Sequence, residues 1–348
     1  MGGDFAPAEV VRGAVQYALR AAQGDAPPAH LLLVGDPERV GPELAAAAAK
    51  EGADPTAGIT VVPAPDVIDM HEHPLQAVQG KPNSSLVVAN ALVKQGKADA
   101  AFSAGNTGAM MVAAIGLMGK VAGVKRPAIA TLLPTGAGRR AVLVDAGANV
   151  DCRASHLLQF AVLGSVYAQS VLGYDRPRVG LLSNGEEESK GDELSREALV
   201  LLKSAAGPSL NFVGYVEGNH VYEGAADVIV CDGFVGNVLL KGSEGIAHLV
   251  LSALAADAKA ASDEVAREAI LNSLLKLRRQ MDYAENGGAP LLGVNGVAMI
   301  AHGRSDARAI FTGIKLSVAT AASGFLGALT TALGEVRAAS DAAEGQAS

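Results

Sequence analysis

The sequence has little of what marks most specialised protein classes. Aromatic residues make up only 4% of the chain and no basic run occurs, whereas a nucleic-acid binder needs a cationic footprint and rings on which bases stack. The charge balance runs the other way, with 28 basic against 36 acidic residues and a net of −8. Cysteine is nearly absent: Cys152 and Cys231 stand alone, without a C-x-x-C pair or a His/Cys cluster at zinc spacing. That argues against a disulfide framework or a structural metal and fits a reducing cytoplasm. The start, Met1-Gly2-Gly3-Asp4-Phe5, has no charged region followed by an apolar core, so it does not read as a secretory signal. One long stretch without charge spans residues 316–334. Its scattered Ser, Thr and Gly residues are costly in lipid, so a buried or subunit-interface helix is the expectation there.

What is present is a chain of 348 residues, 49% hydrophobic, enough to bury a large core. Near-continuous apolar runs that end at Gly or Asp predict strands at 31–34, 59–62, 98–103, 128–133, 141–145, 178–182, 211–216, 227–231 and 297–301. Segments with helical spacing lie between them, at 8–22, 84–95, 155–172 and 192–205. This alternation predicts a doubly wound α/β/α sandwich with a mostly parallel sheet. Residues 244–280 carry no strand signal and read as a helical hairpin broken near 257–261. The hairpin has more large apolar residues than an isolated solvent-facing one should carry, which leaves a membrane surface or a dimer partner as its contact. Residues 1–335 are expected to form a single catalytic domain, and the Ala-, Ser- and Glu-containing tail after Val336 to be disordered.

Candidate chemistry lies in the strand-end loops, where ligands of such sheets bind. Two strings, Ser103-Ala104-Gly105-Asn106-Thr107-Gly108 and Asp232-Gly233-Phe234-Val235-Gly236-Asn237, each turn from a strand into a helix. Such turns aim backbone N–H groups and a helix dipole at an anion. Asn106 and Asn237 either hydrogen-bond a ligand oxygen or satisfy their own turns. Lys190, in Gly185-Glu186-Glu187-Glu188-Ser189-Lys190-Gly191, is either a solvated partner of the three acids or a cation for phosphate. His302 is a general base or a turn residue, and Arg304 is a candidate anion clamp. Cys231 reads as inert core.

Taken together, Met1-Gly2-Gly3-Asp4, the Ser103 string, Asp145-Ala146-Gly147-Ala148-Asn149, the Gly185 string, Asp232 to Asn237, and Gly287-Gly288-Ala289-Pro290-Leu291-Leu292-Gly293-Val294-Asn295-Gly296 resemble the bacterial phosphate acyltransferase family. The resemblance runs in order to about residue 330. It implies transfer of a fatty acyl group from acyl carrier protein to inorganic phosphate, giving acyl phosphate for phospholipid synthesis without a cofactor. It also implies a fold similar to phosphate acetyltransferases and the isopropylmalate dehydrogenase group. A cytoplasmic homodimer is implied as well, peripherally associated with the membrane and handing its product to a membrane glycerol-3-phosphate acyltransferase. The residues assigned on this basis are Lys190 and Asn237 as catalytic, with Gly105, Asn106, Thr107, Gly108, Gly236, His302 and Arg304 as substrate-binding; Asn106 shares the candidacy for oxyanion donor.

Two departures from the family pattern stand out. Family members begin with a short strand and Asp-Ala ahead of Met-Gly-Gly-Asp, so a sheet lacking that strand is expected to be weakened. Ser183-Asn184 also differs from the family's usual pair. Two rivals are a dehydrogenase on a related fold and a non-enzymatic membrane-docked scaffold. No strand is followed by Gly-x-Gly-x-x-Gly with an acidic residue about twenty positions on, which counts against the dehydrogenase.

Overall fold

The computed structural model describes residues 1–346 except 53, 55, 56, 137, 208, 209 and 282–286; the side chains of 279 and 337–346 are not described. Ten strands and twelve helices alternate along the described chain. Strands β1 (Leu31–Gly35) and β2 (Ile59–Pro63) form a parallel pair. The other eight are β3 (Ala100–Ser103), β4 (Ala128–Pro134), β5 (Arg140–Val144), β6 (Arg178–Ser183), β7 (Asn211–Glu217), β8 (Val228–Val230), β9 (Ala289–Leu292) and β10 (Val297–Ile300), in the spatial order β3-β10-β9-β4-β5-β8-β6-β7. The pairs β3–β10, β5–β8, β8–β6 and β6–β7 are parallel. The three pairs that join the two halves, β10–β9, β9–β4 and β4–β5, are antiparallel.

The alternation of β5 shows how the sequence builds the two-sided core. Val142 and Val144 face a cluster with helix α6 (Ala154–Ser170), while Ala141 and Leu143 face a second cluster with α5 (Thr107–Met118). All four are fully buried, as a strand covered on both sides requires. Truncating a side chain such as Leu143 to Ala is expected to cost about 2–5 kcal/mol.

Three expectations need correction. The long hairpin does not begin at 244: α9 (Gly233–Ala260) runs unbroken from the glycine turn, and α10 (Glu264–Met281) follows. The break therefore falls at 261–263, where the Asp263 carboxylate accepts from Ala266 N–H and caps the second helix. β9 carries no strand signal because Pro290 interrupts a four-residue run. Helix α12 (Phe325–Gln346) extends past Val336, so the described part of the stretch expected to be disordered is helical, in keeping with the helix propensity of its alanines; residues 347 and 348 lie outside the described residues.

The uncharged stretch at 316–334 is bent by 57° between α11 (Ala307–Ala322) and α12. Gly324 takes the positive φ of 70° at that break. Phe325, Leu329 and Leu333 beyond it are buried in the α6 cluster. The hydroxyls of Ser317 and Thr320 donate to the carbonyls of Gly313 and Leu316 one turn back. Burial accounts for one face of the stretch only, since Ala319, Ala322, Gly327, Ala328, Thr330 and Thr331 are exposed in the isolated chain.

No strand pairs β1 with β3 among the described residues. Residues 31–34 of β1 and 100–103 of β3 instead line a common cavity of about 630 Å³, together with Met1, Val10, Leu86 and Ile310. Two facing strand edges with unpaired backbone groups and apolar walls make a seat for one more extended segment.

Candidate active site

The direction of the strands decides which loops can meet. β5, β8 and β6 are neighbours and run the same way, so the loops after Val144, Val230 and Ser183 leave one rim of the sheet side by side. β3 and β10 run the opposite way, because the three antiparallel steps between the halves reverse them. Lys190 and Asn237 therefore share one rim, whereas Gly105, Asn106, Thr107, Gly108, His302 and Arg304 stand at the other. The two glycine turns, expected to aim at one spot, leave opposite rims.

Asn237 sits near the start of α9, on a seat made mostly of backbone. A Cβ on Gly233 would stand 2.7 Å from Asn149 O and 2.9 Å from Asp145 Oδ2. A Cβ on Gly236 would overlap the Asp145 carbonyl oxygen. Close approach, rather than φ freedom, is thus what calls for glycine at both positions. The Asn237 side chain is exposed and lies against Gly147, whose Cβ would be 3.6 Å from its Oδ1. Its amide makes no hydrogen bond among the described residues.

The backbone donors of the same turn are already in use. Gly233 N–H donates to Asn149 O at 2.7 Å, and the N–H groups of Phe234 and Val235 donate to the Asp232 carboxylate at 2.8 and 2.9 Å. Gly236 N–H closes the helix onto Asp232 O. The anion-cradle reading of this helix end is corrected: Asp232 caps it, and the Asn237 amide is what remains to meet a ligand.

Lys190 follows β6 in a loop tied by Gly191 N–H to Asn184 Oδ1 at 2.9 Å and by Lys190 N–H to Glu187 O. Asn184 thus has a structural use, as the loop's tie. Two of the three acids beside Lys190 are engaged elsewhere: Glu186 pairs with His220 at 2.8 Å and Glu188 with Lys203. The Lys190 stem crosses Gly185, whose Cβ would meet its Cγ at 2.6 Å. Its ammonium forms no ion pair among the described residues, although the Glu187 carboxylate lies beside its stem at Gly185.

Asn106 is spent on structure. Its Nδ2 donates to the carbonyls of Asp69, Met70 and Glu72 at 3.1–3.2 Å, and its Oδ1 caps α5 by accepting from Ala109 N–H at 3.0 Å. It is buried and its amide fully used, which leaves Asn237 as the remaining candidate for oxyanion donor. Asn106→Ala is expected to cost about 2–4 kcal/mol of stability, a lost cap plus orphaned carbonyls, and thermal melting checks it. Unchanged stability with selective loss of turnover would reverse the assignment. Gly105 N–H is taken by Ser103 Oγ, whereas the N–H groups of Thr107 and Gly108 are unbonded among the described residues. His302 accepts Arg304 N–H on its Nδ1 at 3.2 Å, which makes it part of its own turn.

Neither cysteine supplies a nucleophile. Burial raises the Cys231 thiol well above its ordinary value, and burial with the carboxylates of Asp145 and Asp232 pushes Cys152 up to about 11. Both stay protonated at neutral pH. No cluster of metal-ligating side chains occurs among the described residues.

Asp145 went unnoticed as chemistry in the sequence. It is fully buried at the end of β5, where five N–H donors converge on its carboxylate. Burial pushes its carboxyl above the usual carboxylate range, and the donors pull it partly back. Only the Asp-Ala-Gly-Ala-Asn string hinted at it.

On this rim of the α/β sheet, adjacent loops expose a lysine ammonium and an asparagine amide, neither bonded to another described residue. A family model described as "Fatty acid synthesis protein" matches residues 1–327. The chain is 48% identical over 333 residues to the phosphate acyltransferase of Desulforamulus reducens, covering 96% of this chain and 95% of that one. It is 46% identical over 328 residues to that of Desulfitobacterium hafniense, at 94% and 93% coverage. Among solved structures, a phosphotransacetylase from Streptococcus pyogenes matches with a TM-score of 0.61 at 18% identity, covering 89% of this chain and 91% of that one. This last likeness shows a shared fold. The chain belongs to the phosphate acyltransferase family and is an acyltransferase of fatty acid and phospholipid synthesis.

Proposed function

We propose that the protein moves a fatty acyl group from the thioester of acyl carrier protein to inorganic phosphate. A phosphate oxygen attacks the thioester carbonyl carbon, a tetrahedral oxyanion forms, and the C–S bond breaks. The thiolate takes a proton from solvent and acyl phosphate leaves. Phosphate is itself a nucleophile at neutral pH, so the reaction asks the protein for positioning and charge rather than covalent catalysis. Lys190 holds the phosphate and offsets its charge; the Asn237 amide donates to the oxyanion. The observation that carries this reading is the pairing of these two unbonded groups on neighbouring loops of one rim.

The partners follow from the same reading: acylated carrier protein, phosphate, and a membrane glycerol-3-phosphate acyltransferase as consumer of the product, with the enzyme cytoplasmic and peripheral to the membrane. The protein acts as a homodimer. Large apolar side chains are exposed along α9 and α10, Ile246, Leu249, Val265 and Leu275 among them. The tip of the hairpin, residues 257–268, carries Asp257, Asp263, Glu264 and Glu268 against Lys259 and Arg267. An acid-rich tip is repelled by anionic headgroups, which favours a second copy as the cover of the apolar flank. Release of free carrier thiol that depends on added phosphate, and persists in chelator, tests the reaction. Thiol release independent of phosphate would overturn it.

A further inference from the structure

The most densely bonded carboxylate of the candidate site touches no substrate in the reading above. Asp145 Oδ1 accepts from the N–H groups of Ile129, Gly147 and Ala148 at 3.0, 3.2 and 3.0 Å. Its Oδ2 accepts from Asn149 N–H at 2.7 Å and Asn149 Nδ2 at 2.9 Å. One side chain thus winds residues 147–149 into a tight turn and ties that turn to the start of β4. The turn is also the seat of α9: Asn149 O takes Gly233 N–H, the Asp145 carbonyl lies against Gly236, and Gly147 abuts the Asn237 side chain. The path runs mostly through backbone; the Cys231 thiol also lies against Gly236, where a Cβ would stand 3.0 Å from its sulfur.

We propose that Asp145 is a positioning residue for Asn237: its carboxylate shapes the backbone seat that fixes where the Asn237 amide points. The inference rests on the reading of Asn237 as the oxyanion donor. A seat made of backbone transmits displacement directly, because neither Gly233 nor Gly236 has a side chain to absorb it. Asn149 belongs to the same device, its amide bridging Asp145 Oδ2 and Pro127 O at 2.9 and 2.8 Å. Asp145→Asn keeps the shape and removes the function. Its new NH₂ group must face either the two Asn149 donors or the three donors on the other side, and at least two N–H groups lose their acceptor.

The test is a double-mutant cycle on the full-length protein, with acyl carrier thioester and phosphate as substrates and kcat and KM measured for each. Asp145→Asn is expected to lower kcat roughly tenfold while the KM for phosphate stays within about twofold, since Lys190 sits on another loop. In the Asn237→Ala background the same change is expected to cost less than about twofold, because the amide being aimed is gone. Asn149→Ala leaves all four backbone donors to Asp145 in place; it carries the cycle if Asp145→Asn does not fold, with a loss of about threefold that again vanishes without Asn237. Equal losses in both backgrounds would overturn the proposal while leaving Asn237's role intact. Full activity of Asn237→Ala would overturn that role, and the proposal with it.

Discussion

Lys190→Ala and Asn237→Ala are each expected to lower turnover sharply without unfolding the protein. Losing a donor to a developing oxyanion costs about 100-fold in kcat, or ~2.7 kcal/mol, and this is the size expected for Asn237. In its proposed role Lys190 offsets charge on the phosphate at closer to ground-state geometry, so its loss is expected to raise the KM for phosphate as well as lower kcat. Both side chains are exposed and neither bonds another described residue. Melting should therefore shift by no more than about 0.5 kcal/mol, as for an ordinary surface change. Normal steady-state kinetics in both variants would return the asparagine to its turn and the lysine to solvent.

If the proposed homodimer forms through this flank, Ile246→Glu combined with Leu249→Glu is expected to leave monomers. The two residues are 62% and 64% exposed in the isolated chain, and their spacing of three places them on one face of α9. Burying each such side chain is worth about 1.5–3 kcal/mol, and an interface with two-fold symmetry uses each residue twice. The variant thus removes on the order of 6 kcal/mol of apolar contact before any cost of buried charge. Sedimentation at micromolar concentration reads the result directly. A dimer that persists, together with weakened binding to vesicles containing anionic lipid, would make this flank a membrane contact instead.

Most of the fold was legible because its strands are made in the simplest way. Residues 141–144, Ala-Val-Leu-Val, allow little but a strand buried on both faces, and helix α1 (Ala8–Ala22) matches its expected limits. Strand direction was not legible. Whether β4 and β5 run together or opposed depends on a short connection at 135–139 and on β9, a strand that its own proline disguises. The sharing of one rim by Lys190 and Asn237 is thus a property of topology, and so is the placement of the β3 turn at the other rim. Local sequence also leaves open how donors are used. Asn106 and Asn237 both stand at glycine turns before helices, yet one is bound by three carbonyls from residues 69–72 and the other is unbonded. The donors that surround Asp145 come partly from β4, sixteen residues away along the chain, which no spacing rule picks out.

The measurement closest to the central claim uses phosphate labelled with ¹⁸O in all four oxygens, acyl carrier thioester and the purified protein in unlabelled water, with the product analysed by mass. Direct attack by phosphate predicts acyl phosphate carrying all four labels, one of them bridging to the acyl carbon, formed in step with free carrier thiol. Labelled phosphate returned unacylated, with free fatty acid accumulating alongside the thiol, would show that water is the acceptor and would contradict the account.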